Sequence, residues 1–552
     1  MADALQHPTV LFETHPTRYK HWRLEFPEAY AGKVARLVMD IPEDGGLRPG
    51  YPLKLNSYDL GVDLELADSL QRIRFEHPEV RAVEITSGKD RIFCSGANIY
   101  MLGSSTHAFK VNFCKFTNET RLYLEEMSAE SGILSLAALN GTASGGGYEL
   151  AIACDEIVLV DDGSSAVSLP EAPLLGVLPG TGGLTRLVDK RKIRRDLADV
   201  FSTVAEGVRG KRSVEWSIVD ACPPKAKFEK EVETRLQAMV ARSKRVAFPP
   251  VQLPPLSVTR SENGAEYKYV KVEIQRGART ASITMLAPKD DQPKTPAELA
   301  KMGANAWAIQ AWRELDDALL NLRFNEPSIG TITMFTRGDK ENVLAVDAML
   351  AANRSDGLVK ETLLLMKRVL KRLDMMAKSV FSIVDGDSCF FGSLFELTLA
   401  GDRTYMLDAA GVRVGLSELN REGLPMGNGL TRLASRFLRE PNRIARVFEL
   451  ETEIDTETAL KEGLVTFGPD DLDWDDEVRI AVEERASMSP DAMTGMEASL
   501  RYGGPETLET KIFGRLTAWQ NWIFQRPNAV GPKGALTLYG RPERAEYDFN
   551  RT

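Results

Sequence analysis

A chain of 552 residues is longer than one hydrophobic core ordinarily serves, so about two to four domains are expected. With 43% apolar and 27% charged residues it reads as globular rather than disordered or fibrous, and a net charge of −10 spread along the sequence offers nucleic acid or anionic lipid no general attraction. The five cysteines (Cys94, Cys114, Cys154, Cys222, Cys389) are scattered without a CxxC or a Cys/His cluster, which speaks against a disulfide framework and a zinc site.

The first residues, MADALQHPTVLFETHPTRYKHW, lack the apolar stretch of a secretory signal, and no later apolar run approaches the roughly 20 residues of a membrane helix. A soluble cytoplasmic protein with no membrane partner is therefore expected. Farther along, Leu64, Leu66, Leu70 and Ile73 have helical spacing, and VRAVEIT after them reads as a strand. RIFCSGANIYML is a strand end that turns through Gly96. The apolar strand ILSLAAL leads to the small-residue loop of LNGTASGGGYELAIACD, then to the helix YELAIACD and the strand IVLV. Strands alternating with helices predict an α/β fold of βαβ units.

Residues 223–265 contain PPKAK, a charged helical stretch over 228–246, and FPPVQLPPLSV, whose prolines remove backbone donors. They read as a linker. Beyond residue 470 the chain is mostly helical and rich in charge. The two sides of the linker resemble each other. ELADSLQRIRFEHPEVRAVEIT from Glu65 matches ELDDALLNLRFNEPSIGTITMF from Glu314 at an offset of 249; YELAIACDEIVLV matches FELTLAGDRTYML at 247; GGLTRLVDK matches NGLTRLASR at 246. Three matches in one order at nearly constant offset indicate a duplication. The predicted organisation is a catalytic domain over 1–222, the linker 223–265, a degenerate repeat over 266–470 and a helical segment over 471–552.

Chemistry concentrates in the first half. Glycine permits positive φ and close approach of a ligand, and a helix start offers unpaired N–H groups. One N–H from the Gly96 loop and one from the GGG segment could converge on a carbonyl oxygen as an oxyanion hole. Three glycines before a helix equally suit a tight turn or a phosphate site. No GxxxxGK[ST] or GxGxxG pattern occurs, which disfavours a nucleotide triphosphatase or a fused dehydrogenase. In VSLPEAPLLGVLPGTGGLTRL, Glu171 follows Glu149 by 22 residues. Two carboxyls in one apolar pocket would split into acid and base, although most glutamates are solvated surface residues.

Taken together these segments resemble the crotonase (enoyl-CoA hydratase/isomerase) superfamily in order and spacing over about residues 30–222. FCSGANI resembles that family's F-x-x-G-A-D-[IL] loop, and ALNGTASGGGYELAIACD its A-x-x-G-x-x-x-G-G-G-x-E-L-x-x-x-C-D. LPEAPLLGVLPGTGGLTRL resembles its P-E-x-x-x-G-x-x-P-G-x-G-G-x-x-R-L, and KLNSYDLGVDLELADSL its x-L-N-A-L helix entry. The resemblance implies tandem crotonase-like domains, each a spiral of ββα units, with the second degenerate and a helical segment after it. It implies that Ala97 and Gly146 donate the N–H groups that hold a thioester oxygen, and that Glu149 and Glu171 form the acid–base pair. Lys54, Leu55, Asn56, Asn98 and Ile99 would lie along the coenzyme A moiety. Asn98 departs from the family's usual Asp.

In the second half, DGDSCFFGSLFELTLAGD places Phe390 and Phe391 in the glycine loop, which runs two residues longer than its counterpart. Glu396 and Glu418 remain as counterparts of Glu149 and Glu171 without a credible oxyanion hole, so this half is expected to be structural, standing where another subunit stands in an ordinary crotonase oligomer. Such a layout is most similar to the ring-cleaving acyl-CoA lyases of aerobic benzoyl-CoA breakdown. The resemblance implies that a 2,3-epoxide or dihydrodiol of benzoyl-CoA reacts with water to give formate and 3,4-didehydroadipyl-CoA semialdehyde. It also implies an acyl-CoA thioester as partner, no metal, and no cofactor beyond the coenzyme A of the substrate. A homodimer is expected. Hydration or isomerisation of another acyl-CoA, and a scaffold that binds acyl-CoA without turnover, stay open as alternatives.

Four bland readings stand beside these. Cys94 and Ser95 read as packing residues rather than nucleophiles, because the histidines (His7, His15, His21, His77, His107) lie outside the motifs. Tyr148 and Tyr100 suit the core as well as an acyl pocket. The run DKRKIRR is a solvated helix face or a site for the 3′-phosphate of coenzyme A. His107 and Cys114 lack the partners of a metal site.

Overall fold

The structure, a computed structural model, describes residues 9–550, so His7 lies outside the described residues. The chain divides into two compact units between Leu253 and Pro254. Among the described residues the first has eight strands: β1 (Trp22–Glu25), β2 (Val34–Met39), β3 (Ala82–Ser87), β4 (Arg91–Cys94), β5 (Leu134–Leu139), β6 (Gly141–Ser144), β7 (Glu156–Leu159) and β8 (Val167–Ser168). Its main helices are α1 (Leu60–Glu76), α2 (Ile99–Ser104), α3 (His107–Glu126) and α4 (Gly146–Ala153).

One sheet runs β1-β2-β3-β5-β7, antiparallel between β1 and β2 and parallel thereafter. A smaller parallel sheet runs β4-β6-β8. Parallel strands need covered faces, and β3 and β5 are accordingly almost continuously buried, the buried Glu84 of β3 being paired with Arg36 at 2.7 Å. Part of that cover comes from the stretch expected to be a linker. Lys225–Arg242 is a helix whose Phe228, Val232, Leu236 and Met239 pack on Val34, Ala82, Leu136 and Val158. Their spacing makes an apolar stripe that drives the helix onto the sheet. The proline-rich stretch after it is held too: Val251 N–H donates to Phe75 O (2.8 Å) and Leu253 N–H to Glu76 Oε1 (2.8 Å). Residues 223–265 are thus a cover of the first unit followed by the first strand of the second, not a free tether.

The second unit holds one sheet of β9 (Thr259–Ser261), β10 (Gly264–Glu266), β11 (Val270–Gln275), β12 (Thr280–Leu286), β13 (Thr331–Arg337), β14 (Ser379–Val384) and β15 (Arg403–Met406), in the order β15-β14-β13-β12-β11-β10-β9. From β11 to β15 the senses repeat those of the first sheet: one antiparallel pair, then three parallel ones. Among the described residues the three-stranded sheet is reduced in this unit to isolated bridges, Phe391 to Gly415 (parallel) and Val414 to Ile454 (antiparallel), and the helix Lys340–Ala352 follows β13 directly. After residue 470 the helices Trp474–Ser487 and Pro490–Leu500 pack back onto it, with Trp474, Val478 and Ala481 against Phe381 and Arg501 paired with Asp402 at 2.7 Å. No helix among the described residues is long and apolar enough to cross a membrane.

Candidate active site

Two loops of the first unit meet at the ends of β4 and β6. After β4 the chain turns at Gly96 (φ +89°), where Tyr58 N–H donates to Gly96 O (2.8 Å) and Asn98 N–H to Tyr58 O (2.8 Å). The Ala97 N–H between these bonds has no hydrogen-bond acceptor among the described residues. After β6 the chain turns at Gly145 (φ +53°), and Gly146 opens α4 with an equally unengaged N–H. The loops touch. A methyl group on Gly96 would lie 2.8 Å from Ser144 O and 2.9 Å from Gly146 N, and one on Gly146 would lie 3.4 Å from Ala97 N. Two free donors from separate loops are therefore neighbours on one cavity of about 600 Å³.

Glu149 and Glu171 line the same cavity. Glu149, 2% exposed on α4, has Oε1 fixed by the N–H groups of Thr181 (2.9 Å) and Gly183 (2.8 Å). Glu171 begins a wide helical turn (Glu171–Leu175) and is 9% exposed. Its buried Oε2 has no hydrogen-bond partner among the described residues. Burial, and secondarily the charge of Glu149, raise the Glu171 carboxyl to about 7. The mouth is apolar, with Ile99, Leu174, Val177 and Leu178 more than half exposed around it.

The residues expected along coenzyme A divide. Lys54, Leu55 and Ile99 are exposed, and Ile99 borders the cavity. The side chains of Asn56 and Asn98 instead bond within the protein. The Asn56 amide donates to Met39 O, Ser87 Oγ and Phe93 O, and its Oδ1 accepts from Ile41 N–H (3.0 Å). Asn98 caps α2 through Met101 N–H (2.9 Å) while its amide donates to Pro52 O (2.8 Å) and Ser57 Oγ (2.9 Å). An amide here supplies two donors that an aspartate lacks.

The other candidates take structural places. Tyr148 is fully buried, its hydroxyl donating to Ile218 O (2.8 Å), and Tyr100 is exposed. Burial pushes the Cys94 thiol up to about 11. Lys190 donates to Glu125 and Ala153 O, and Arg191 pairs with Asp220 at 2.9 Å, so much of the basic run is spoken for. Among the described residues no group of three or more His, Cys, Asp or Glu side chains is placed to hold a metal.

Sequence reasoning missed one wall. Lys110, Phe113, Cys114, Thr117 and Arg121 of α3 line the cavity. Arg121 is ion-paired with Asp63, which also accepts from Tyr58 (2.7 Å) and Thr120 (2.6 Å). The spacing of these positions marks one helix face, but their mixed polarity gives no apolar stripe to detect.

The enoyl-CoA hydratase/isomerase family matches residues 50–249. A benzoyl-CoA-dihydrodiol lyase from Aromatoleum evansii is 54% identical over 546 residues, covering 98% of each chain. The chain belongs to the crotonase, or enoyl-CoA hydratase/isomerase, family. A fatty acid oxidation complex subunit alpha from Shewanella loihica (strain ATCC BAA-1088 / PV-4) is 32% identical over 35% of this crotonase and 25% of its own length. An enoyl-CoA hydratase structure from Geobacillus kaustophilus HTA426, 28% identical, covers 40% of this crotonase and 75% of that chain, with a TM-score of 0.35. In this crotonase two unengaged main-chain donors and two differently held carboxyls share one cavity.

Proposed function

We propose that this chain is a ring-cleaving acyl-CoA lyase that converts 2,3-epoxybenzoyl-CoA, or the corresponding dihydrodiol, with water to 3,4-didehydroadipyl-CoA semialdehyde and formate. The observation that carries the reading is the 54% identity with the Aromatoleum lyase, sustained over both units and the helical tail. The cavity accounts for the chemistry. Breaking a ring carbon–carbon bond beside a conjugated thioester moves negative charge onto the thioester oxygen, which the Ala97 and Gly146 N–H groups would hold; one such donor is typically worth about 3–4 kcal/mol of barrier.

Glu149 would act as the base that takes a proton from water or a ring hydroxyl, since its Oε1 is fixed by two N–H groups and its Oε2 has no protein partner among the described residues. Glu171, raised to about 7, would deliver a proton to the opening oxygen. Each transfer contributes on the order of 10²–10⁴-fold. Coenzyme A enters as part of the substrate.

In this reading the second unit is a degenerate copy that kept the sheet and lost the site. Ser393, the position corresponding to Gly146, donates its N–H to Asp347 Oδ2 at 2.6 Å, so an internal carboxylate fills the place of a thioester oxygen. Phe391 packs against Gly415, and Glu396 is held by Arg432 at 3.0 Å. A cytoplasmic homodimer is the proposed working form. The deciding experiment supplies purified protein with 2,3-epoxybenzoyl-CoA and assays formate. Formate release supports the reading. No formate, with crotonyl-CoA readily hydrated, replaces it with an ordinary hydratase.

A further inference from the structure

Two cations line the catalytic cavity, and they are unlike each other. Arg121 is neutralised by Asp63. Lys110 is half-buried on the same face of α3, and among the described residues its ammonium has neither an ion-pair partner nor a hydrogen-bond acceptor. The remaining polar groups of that wall are committed or weak. The Thr117 hydroxyl bonds to Phe113 O and Cys114 O, both at 3.0 Å, and burial pushes the Cys114 thiol up to about 11. Lys110 thus brings three uncommitted donors to a partly dry wall.

Water can serve an ammonium at the edge of a cavity, but a ligand that enters displaces that water and must supply the acceptor itself. The position of Lys110 says which part of the ligand. It lies one helical turn before Cys114, whose Sγ would stand 3.1 Å from a methyl group on Gly180, next to the Thr181 whose N–H holds Glu149, so this face of α3 borders the carboxyl end of the cavity. The Lys54–Asn56 turn packs against the end of β4, where Ser95 N–H donates to Leu55 O (3.1 Å).

Resting on the ring-cleaving reading, we propose that Lys110 is a specificity-determining residue that binds an oxygen substituent of the acyl ring and makes the cavity select an oxygenated ring over a plain one. An unsubstituted acyl group leaves these donors unpaired, and that asymmetry is what gives a polar site its discrimination.

The test compares calorimetric affinities for 2,3-dihydro-2,3-dihydroxybenzoyl-CoA and for benzoyl-CoA in a Glu149→Gln background, which slows turnover. Lys110→Met in that background is expected to lower affinity for the oxygenated ring roughly ten- to hundredfold, the usual range for a hydrogen bond to a charged group. Affinity for benzoyl-CoA should stay within about twofold, and Lys110→Arg should restore most of the preference. Equal losses for both ligands would assign Lys110 to coenzyme A or to the fold and overturn the proposal, as would an unchanged ratio. Formate release by the unmodified chain is scored separately: its absence removes the ring-cleaving reaction, whereas an unchanged binding ratio removes only the role of Lys110.

Discussion

The carboxyl of Glu171 lies against Gly145, so close that a methyl group on that glycine would stand 2.6 Å from Glu171 Oε1. Gly145 also has φ +53°, where a side chain is strained. Gly145→Ala should therefore displace the carboxyl and disturb the neighbouring Gly146 donor together. We expect kcat to fall on the order of 10²–10³-fold, with a loss of stability of about 1–2 kcal/mol. Steady-state formate release and a urea titration measure the two effects; unaltered kcat would remove Glu171 and Gly146 from the proposed mechanism.

The raised Glu171 carboxyl makes activity and stability depend on the same proton, and in the same direction. As the acid, Glu171 must be protonated, so the rate should decline as pH rises through about 7. The folded chain retains this proton between about pH 4.5 and 7, where the unfolded chain has released it. Stability from this group is then full below 4.5 and is lost as pH rises through about 7. Glu171→Gln should abolish most turnover and also flatten that part of the stability profile, becoming the more stable protein at pH 8 but not at pH 4. Urea midpoints at the two pH values decide it.

Glu149 and Glu396 occupy corresponding motif positions and live in different surroundings. Glu149 is held by main-chain N–H groups beside a cavity, whereas Arg432 joins Glu396 (3.0 Å) to Asp374 (2.6 Å) in a dry core. Arg432→Met would leave two buried carboxyls facing each other without a cation. The expected destabilisation is about 3–5 kcal/mol. It should be larger at pH 8 than at pH 5, because burial already pushes the Glu396 carboxyl up and loss of the guanidinium pushes it further, so acid neutralises it. Chemical denaturation at the two pH values tests this, and a loss below about 1 kcal/mol would mean that the triad is not load-sharing as described.

Much of this was readable from residue type and spacing, for a definite reason. Gly96, Gly145 and Glu149 sit where backbone geometry admits few alternatives, so their pattern betrays their place. The duplication was visible because three segments recur in one order at offsets of 249, 247 and 246. What escaped depends on partners far apart in sequence. Nothing near Asp347 announces that it reaches Ser393 N–H, 46 residues away. The helix Lys225–Arg242 sits beside prolines and reads as a tether until its four apolar residues find the sheet. The wall of α3 mixes Lys110, Thr117 and Arg121 with Phe113, so neither an apolar nor a charged face stands out.

Asn98 is the position where the motif alone pointed away from the structure. An aspartate would still cap α2 through Met101 N–H, but its second oxygen would face Pro52 O, now 2.8 Å from the Asn98 amide nitrogen. Two acceptors would then oppose each other at a site only 4% exposed. Asn98→Asp should cost about 1–3 kcal/mol, the penalty of a buried group deprived of its partner. Because a protonated acid could still donate to Pro52 O, the loss should shrink below the carboxylate range and grow as pH rises. Position 98, which directly follows Ala97, would lose its hold on Pro52 O, so kcat should fall with stability at pH 8 and recover with it on acidification. Thermal melts and single-turnover rates followed together across pH would separate this from simple unfolding: the rate of the folded fraction itself must drop, and a constant rate per folded molecule would show that Asn98 anchors the fold but not the oxyanion loop.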